Sequence, residues 1–247
     1  MCTPSLCSPR NVSEHSSQVG SGPLAEVRVS RVAGDERARA AELAVRLAAE
    51  VAGVRPDRLR LDHEPNGRPV VRGARVEVSV SHGRGEVAVA ASTAVAVGVD
   101  VEVVRPLPAA GLARRWLRPD EAEWVGRCAP ADRPAAFLWL WTQKEALSKA
   151  AGRGLAGGSG LLVAVRLPER WPPGDGLLAD GGSTARLGGV PGRPDLAVAA
   201  GFAAGLVVAV AARGEGVAGA VVRIGRSGPV DPWAAAGVGA DQRPDTA

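Results

Sequence analysis

Lysine is almost missing from this chain. Of 30 basic residues, only Lys144 and Lys149 are not arginine, and they stand five residues apart in Trp141-Thr142-Gln143-Lys144-Glu145-Ala146-Leu147-Ser148-Lys149. Lysine is a compact, strongly hydrated point charge, whereas arginine is a planar fork that keeps its proton. Two ammonium groups in so short a stretch mark either a place that wants them or a solvated helix face. Aromatics are also scarce, at 3%, with no Tyr and six Trp. The 46% hydrophobic content must therefore build a core of Val, Leu and Ala. Three cysteines, Cys2, Cys7 and Cys128, offer neither a paired framework nor metal-ligand spacing. No charged-then-apolar leader opens the chain, and a reducing cytoplasm is the expected compartment. The longest apolar stretch, Leu196–Ala212, is interrupted by Gly201 and Gly205 and rich in Ala, so it suits a buried strand and not a membrane span. Phosphate-binding Walker loops, dinucleotide fingerprints, zinc spacings and Gly-x-Ser-x-Gly elbows are all missing. The net charge is +4 and the pI about 9.6, which suits an anionic ligand or an acidic partner. The arginines are scattered and no exposed stacking aromatics are expected, which argues against nucleic acid.

What is present reads as an ordered body between two tails. Residues 1–22 are rich in Ser, Pro and Gly and are expected to be a disordered N-terminal tail. Residues 214–247 carry Gly, Pro and Asp around one Val221-Val222-Arg223-Ile224 patch and are expected to be a peripheral C-terminal tail. Between them lie two expected parts, 23–104 and 105–213. Asp35–Val51 reads as a helix capped by Asp35, with Ala40, Leu43, Ala44 and Leu47 at helical spacing and Gly53 as the stop. Pro65-Asn66-Gly67-Arg68-Pro69 reads as a turn. Arg75–His82 alternates strictly, with Val76, Val78 and Val80 on one face, and Gly83-Arg84-Gly85 turns it back into 86–91. Ala94–Val104 is a further strand, and Asp132-Arg133-Pro134 opens a long helix that ends at Gly152 and Gly154. Uneven alternation of strand and helix, with antiparallel hairpins, predicts an α+β fold.

Chemistry concentrates in three places. Asp100 and Glu102 are two apart on a strand, so both carboxylates project to one face. Like charges that close need a cation or good donors between them, and Mg²⁺ takes oxygen ligands of this kind. An exposed polar strand face is the plainer alternative, although Ala94, Ala96 and Gly98 on that face would admit another element closely. On the long helix Phe137, Trp141, Glu145 and Lys149 step by four along one stripe, with Lys144 and Ser148 beside it. A stripe that starts in Phe and Trp is buried at that end, so its Glu and Lys read as a site. Ser81-His82 closes a strand just before a glycine turn, where His can donate to a phosphate oxygen.

In order and spacing, Asn66-Gly67-Arg68-Pro69, Ser79-Val80-Ser81-His82, Gly98-Val99-Asp100-Val101-Glu102 and Trp141 through Lys149 resemble the 4′-phosphopantetheinyl transferases of the two-lobed, surfactin-synthetase-activating type. The resemblance covers about residues 35–167. It implies a pseudo-dimer of two similar α+β lobes, residues 23–104 and 105–213, with the active site in the cleft between them. It implies transfer of the 4′-phosphopantetheine arm of coenzyme A to a serine of an apo acyl, aryl or peptidyl carrier protein, with adenosine 3′,5′-bisphosphate released. Asp100, Glu102 and Glu145 resemble the carboxylates that hold Mg²⁺, or Mn²⁺ in its place. Catalysis would then fall to Glu145, Lys149 and Asp100, with Glu145, Asp100 or a water as the base. Coenzyme A contacts would come from Arg68, Ser81, His82, Lys144 and Lys149, with Arg37 and Arg39 as candidates for its 3′-phosphate. Both lobes lie in one chain, so a monomer is expected, acting on carrier proteins with neither membrane nor nucleic acid as partner. The rival reading is a catalytically inactive module that binds coenzyme A or a carrier protein.

Overall fold

The computed structural model describes residues 23–152, 163–173 and 183–226. The expected tail at 1–22, Gly154, and residues 227–247 lie outside that set.

Two strands are apolar on both faces, and they define the layers. In β5 (Glu86–Ser92), Ala88 and Ala90 face one cluster while Val87, Val89 and Ala91 face another. In β10 (Leu206–Arg213), Leu206, Val208, Val210 and Ala212 face the first cluster while Val207, Ala209 and Ala211 face a third. Period-two geometry allows this only if each strand sits inside a stack of layers. The stack runs helix, sheet, sheet, helices, and the fold is α+β.

The first sheet has five strands in the order β4 (Glu77–Gly83), β5, β1 (Ala25–Arg31), β11 (Val221–Arg226) and β7 (Ser183–Arg186). The second has four, in the order β6 (Ala96–Val103), β10, β9 (Arg193–Ala203) and β8 (Gly188–Val190). A small ladder, β2 (Arg60–His63) with β3 (Pro69–Arg72), flanks them. Helix α1 (Glu36–Ala52) covers the outer face of the first sheet through Ala40, Leu43, Ala44 and Leu47. Asp35 accepts from Arg37 N–H and Ala38 N–H, and Gly53 closes the helix at φ +66°, as the sequence predicts. Helices α2 (Ala109–Trp116), α3 (Pro119–Arg127) and α4 (Arg133–Ala150) cover the second sheet. Asp132 stands at the start of α4 but makes no capping bond. Arg133 holds that end instead, donating to Cys128 O at 3.1 Å and Gly126 O at 3.0 Å.

The apolar stretch Leu196–Ala212 is not one strand but the hairpin of β9 and β10, turned at Ala204 (φ +49°) and Gly205 (φ +79°). Two further expectations need correction. Strand β6 falls within 23–104, yet its ladder partner is β10, in the second sheet. Residues 214–226 are not peripheral, because β11 lies between β1 and β7 and pairs in parallel with β1. Short-range patterning reveals neither, since β1 and β11 are almost the whole chain apart. Val222 and Ile224 are fully buried, each contributing roughly 1.5–3 kcal/mol by burial. A chain ending at Arg213 should therefore fail to fold, giving no cooperative melting transition by circular dichroism. A normal transition would show that β11 is dispensable.

Candidate active site

Strand β6 is the edge of its sheet, so the backbone groups on its free side need partners from elsewhere. Strand β4 provides them. Its Val78 and Val80 face α1, and its alternate residues Ser79 and Ser81 are buried toward β6. Val99 N–H donates to Ser79 Oγ at 3.0 Å, and Val101 N–H donates to Ser81 Oγ at 3.4 Å. The Ser81 hydroxyl in turn donates to Asp100 Oδ1 at 2.6 Å. Alternation predicts one apolar face on this strand. The other face, polar but buried, is the part that builds the site.

Helix α4 closes on β6 at Gly98. A Cβ there would lie 1.9 Å from Ala146 O and 2.6 Å from Ala150 N, so only glycine permits this approach. The contact brings Lys149 onto the strand edge. Its Nζ donates to Val99 O at 2.9 Å and to Asp100 Oδ1 at 2.8 Å. Glu145, one helical turn earlier, opens into the same cavity of about 410 Å³, lined also by Ser81, His82, Asp100, Glu102 and Trp141. Burial, then the neighbouring Asp100 carboxylate, push Glu145 up to about 7, with Glu102 adding and Lys149 opposing. Glu102 pairs with Arg105 at 2.7 Å, and Arg105 lines the cavity too.

The three carboxylates match a hard divalent cation in donor type, and the rise of Glu145 comes first from burial and then from the neighbouring carboxylates. Their charge is met here by Lys149 and Arg105, and among the described residues no group of three His, Cys, Asp or Glu is arranged to hold an ion.

Two more cavities adjoin the first, and Val80 borders all three. One, of about 200 Å³, is lined by Arg68, Ser79 and Lys149, with Arg68 paired to Glu77. The other, of about 540 Å³, is lined by Arg37, Leu61, His63 and His82. Lys149 thus faces two cavities and His82 two. Glu36, the first residue of α1, fixes the turn after His82: it accepts from Gly85 N–H at 2.6 Å and lies 3.6 Å from His82 Nδ1. Arg84, at φ +56° in that turn, reaches the first cavity.

Two expected ligand contacts are corrected. Lys144 is fully buried and points at α3, with Nζ 2.9 Å from Glu121 and 2.6 Å from Val163 O. It stands one residue, about 100° of helix, from Glu145, which turns it out of the cavity. Arg39 is bonded to Glu42 at 2.7 Å and lines none of the three cavities. Two residues past Arg37 on a helix, it faces away by about 200°. Arg68, Ser81, His82, Asp100, Glu102, Glu145 and Lys149 are brought together around the groove, with Arg37 at its far cavity. Glu36, Arg84 and Arg105 are additions. Only Arg105 had a local signal, a cation three residues after Glu102.

No helix among the described residues is long and apolar enough to cross a membrane. The chain matches no curated protein. Residues 96–174, which carry Asp100, Glu102, Glu145 and Lys149, match the family model described as the 4′-phosphopantetheinyl transferase superfamily.

Proposed function

We propose that this chain is a two-lobed, divalent-metal-dependent phosphopantetheinyl transferase, active as a monomer in the cytoplasm. It moves the 4′-phosphopantetheine arm of coenzyme A to a serine of an apo carrier protein and releases adenosine 3′,5′-bisphosphate. The observation that carries the reading is the convergence of Asp100, Glu102, Glu145 and Lys149 on one cavity. The family match over 96–174 supports phosphopantetheinyl transfer in general.

The groove formed by the three adjoining cavities suits a long anionic ligand. Arg37 stands in the outer cavity, His82 where that cavity meets the reactive one, Arg68 in the third, and Lys149 where the third and reactive cavities meet. The acceptor serine enters from the open side beside Glu145. Glu145, on the wall of the reactive cavity, takes the serine proton directly or through a water. The serine oxygen then bonds to the β-phosphorus, and the bond from that phosphorus to the bridging oxygen breaks, leaving adenosine 3′,5′-bisphosphate. Lys149 stabilises charge on the phosphates, and Ser81 holds Asp100 in position. Asp100, Glu102 and Glu145 would hold Mg²⁺ or Mn²⁺, which supplies Lewis-acid neutralisation of the pyrophosphate when bound.

The test is to incubate the protein with coenzyme A, Mg²⁺ and a panel of apo acyl, aryl and peptidyl carriers. The expected result is a carrier whose mass rises by one phosphopantetheine arm, with equimolar adenosine 3′,5′-bisphosphate. Tight coenzyme A binding with no arm on any carrier would point instead to an inactive binding module.

A further inference from the structure

Trp116 is 40% exposed, unusual for the largest side chain in a chain so poor in aromatics. It is not an isolated surface residue. Its ring meets Trp141 edge-on at 6.3 Å between centroids, and Trp141 stacks on Phe137 and walls the reactive cavity. Trp116 is thus the outer end of an aromatic run that begins inside the site. The Arg115 guanidinium lies 5.0 Å from its ring centroid, which holds the indole in place by a cation–π contact. Arg114 and Arg115 are exposed and have no carboxylate within ion-pair distance among the described residues, unlike their neighbours Arg105, Arg118 and Arg127. Their place in the last turn of α2 suits the helix dipole. The dipole accounts for two cations, but not for a solvent-facing tryptophan joined to the cavity wall.

Building on the transfer reading, we propose that Trp116, Arg114 and Arg115 form the docking shelf for the acceptor protein. The segment seated there is acidic and sets an apolar side chain on the Trp116 ring. Tryptophan and arginine are the residue types that dominate binding energy at protein interfaces. Unpaired cations on the rim draw in a partner of opposite charge and speed its encounter. The shelf lies next to the cavity that holds Glu145, so an acceptor docked on it presents its serine at the reactive end.

The test compares the wild type with Trp116→Ala, with Arg114→Glu/Arg115→Glu and with Arg114→Lys/Arg115→Lys, using the apo carrier that the wild type modifies fastest. The charge-reversed variant should raise the KM for carrier at least tenfold, and Trp116→Ala at least fivefold. For both, kcat, the KM for coenzyme A and the melting temperature should stay near wild type. The lysine variant should stay within about threefold on every parameter, and raising salt should weaken the wild type more than the reversed variant. An unchanged KM for carrier in both altered proteins would overturn the shelf while leaving the transfer reading intact. If the wild type modifies no carrier, the transfer reading fails by itself, and the shelf is then judged by direct titration with the same carriers. Binding that is lost on charge reversal upholds it. Absent or unaltered binding overturns it, as does wild-type affinity for a single-stranded oligonucleotide in place of a carrier.

Discussion

Replacing Glu145 by glutamine should lower kcat for arm transfer by about 10²–10⁴-fold, the range for losing a positioned general base, while coenzyme A still binds. The substitution keeps the shape of the side chain and removes only its ability to accept a proton and carry charge. Asp100→Asn should cost a similar factor by another route, because Asp100 Oδ1 receives both Ser81 and Lys149. The same Glu145 should be visible in stability without ligand. Its carboxyl lies near 7 in the folded protein, against 4.5 ordinarily. The unfolded chain therefore releases this proton more readily than the folded one. Stability is fully present below the ordinary carboxylate range and is lost as pH rises toward and through 7, by about 3 kcal/mol from this group. Melting curves of the metal-free protein from pH 5 to pH 8 should show that decline, and Glu145→Gln should flatten it. Equal pH dependence in both proteins, together with retained turnover, would remove Glu145 from both roles.

The parts of this molecule that were legible in the sequence are those written at short range. Helix α1, its Asp35 cap and its Gly53 stop follow from spacing over one segment. Strands β4 and β6 follow from alternation, β5 from the glycine turn that reverses β4, and Gly98 was readable as a point of close approach. What local pattern could not give is which edge meets which. The seating of β11 against β1 depends on pairing across nearly the whole chain. The clamp from Glu36 to the His82 turn joins residues 49 apart. Ser79 and Ser81 look like the solvent face of an amphipathic strand, and become structural only because β6 presents an unpaired edge to them. The scarcity of lysine drew attention to α4, but it did not distinguish a lysine that faces the cavity from one that holds the scaffold.

That second lysine leads to a large expected loss of stability. Lys144 and Glu121 are at most 1% exposed, and burial lowers the Lys144 pKa while Glu121 opposes the shift. Lys144 also donates to Val163 O at 2.6 Å, and Glu121 accepts from Arg118 N–H at 3.0 Å and Val165 N–H at 3.4 Å. The pair therefore ties α3, α4 and the segment after it into one unit. Removing one partner leaves a buried charge without its counter-ion, so Lys144→Met should cost about 3–5 kcal/mol. Glu121→Leu alone should cost a comparable amount. The double variant should recover much of that loss, because apolar groups of similar size need no counter-ion. Urea midpoints of the three variants give the coupling, and strict additivity would mean that the pair does not act as a unit. The double variant also separates scaffold from site. If Lys144 only holds α3 against α4, the folded double variant keeps wild-type affinity for coenzyme A. A large rise in the KM for coenzyme A in a well-folded double variant would return Lys144 to the ligand contacts.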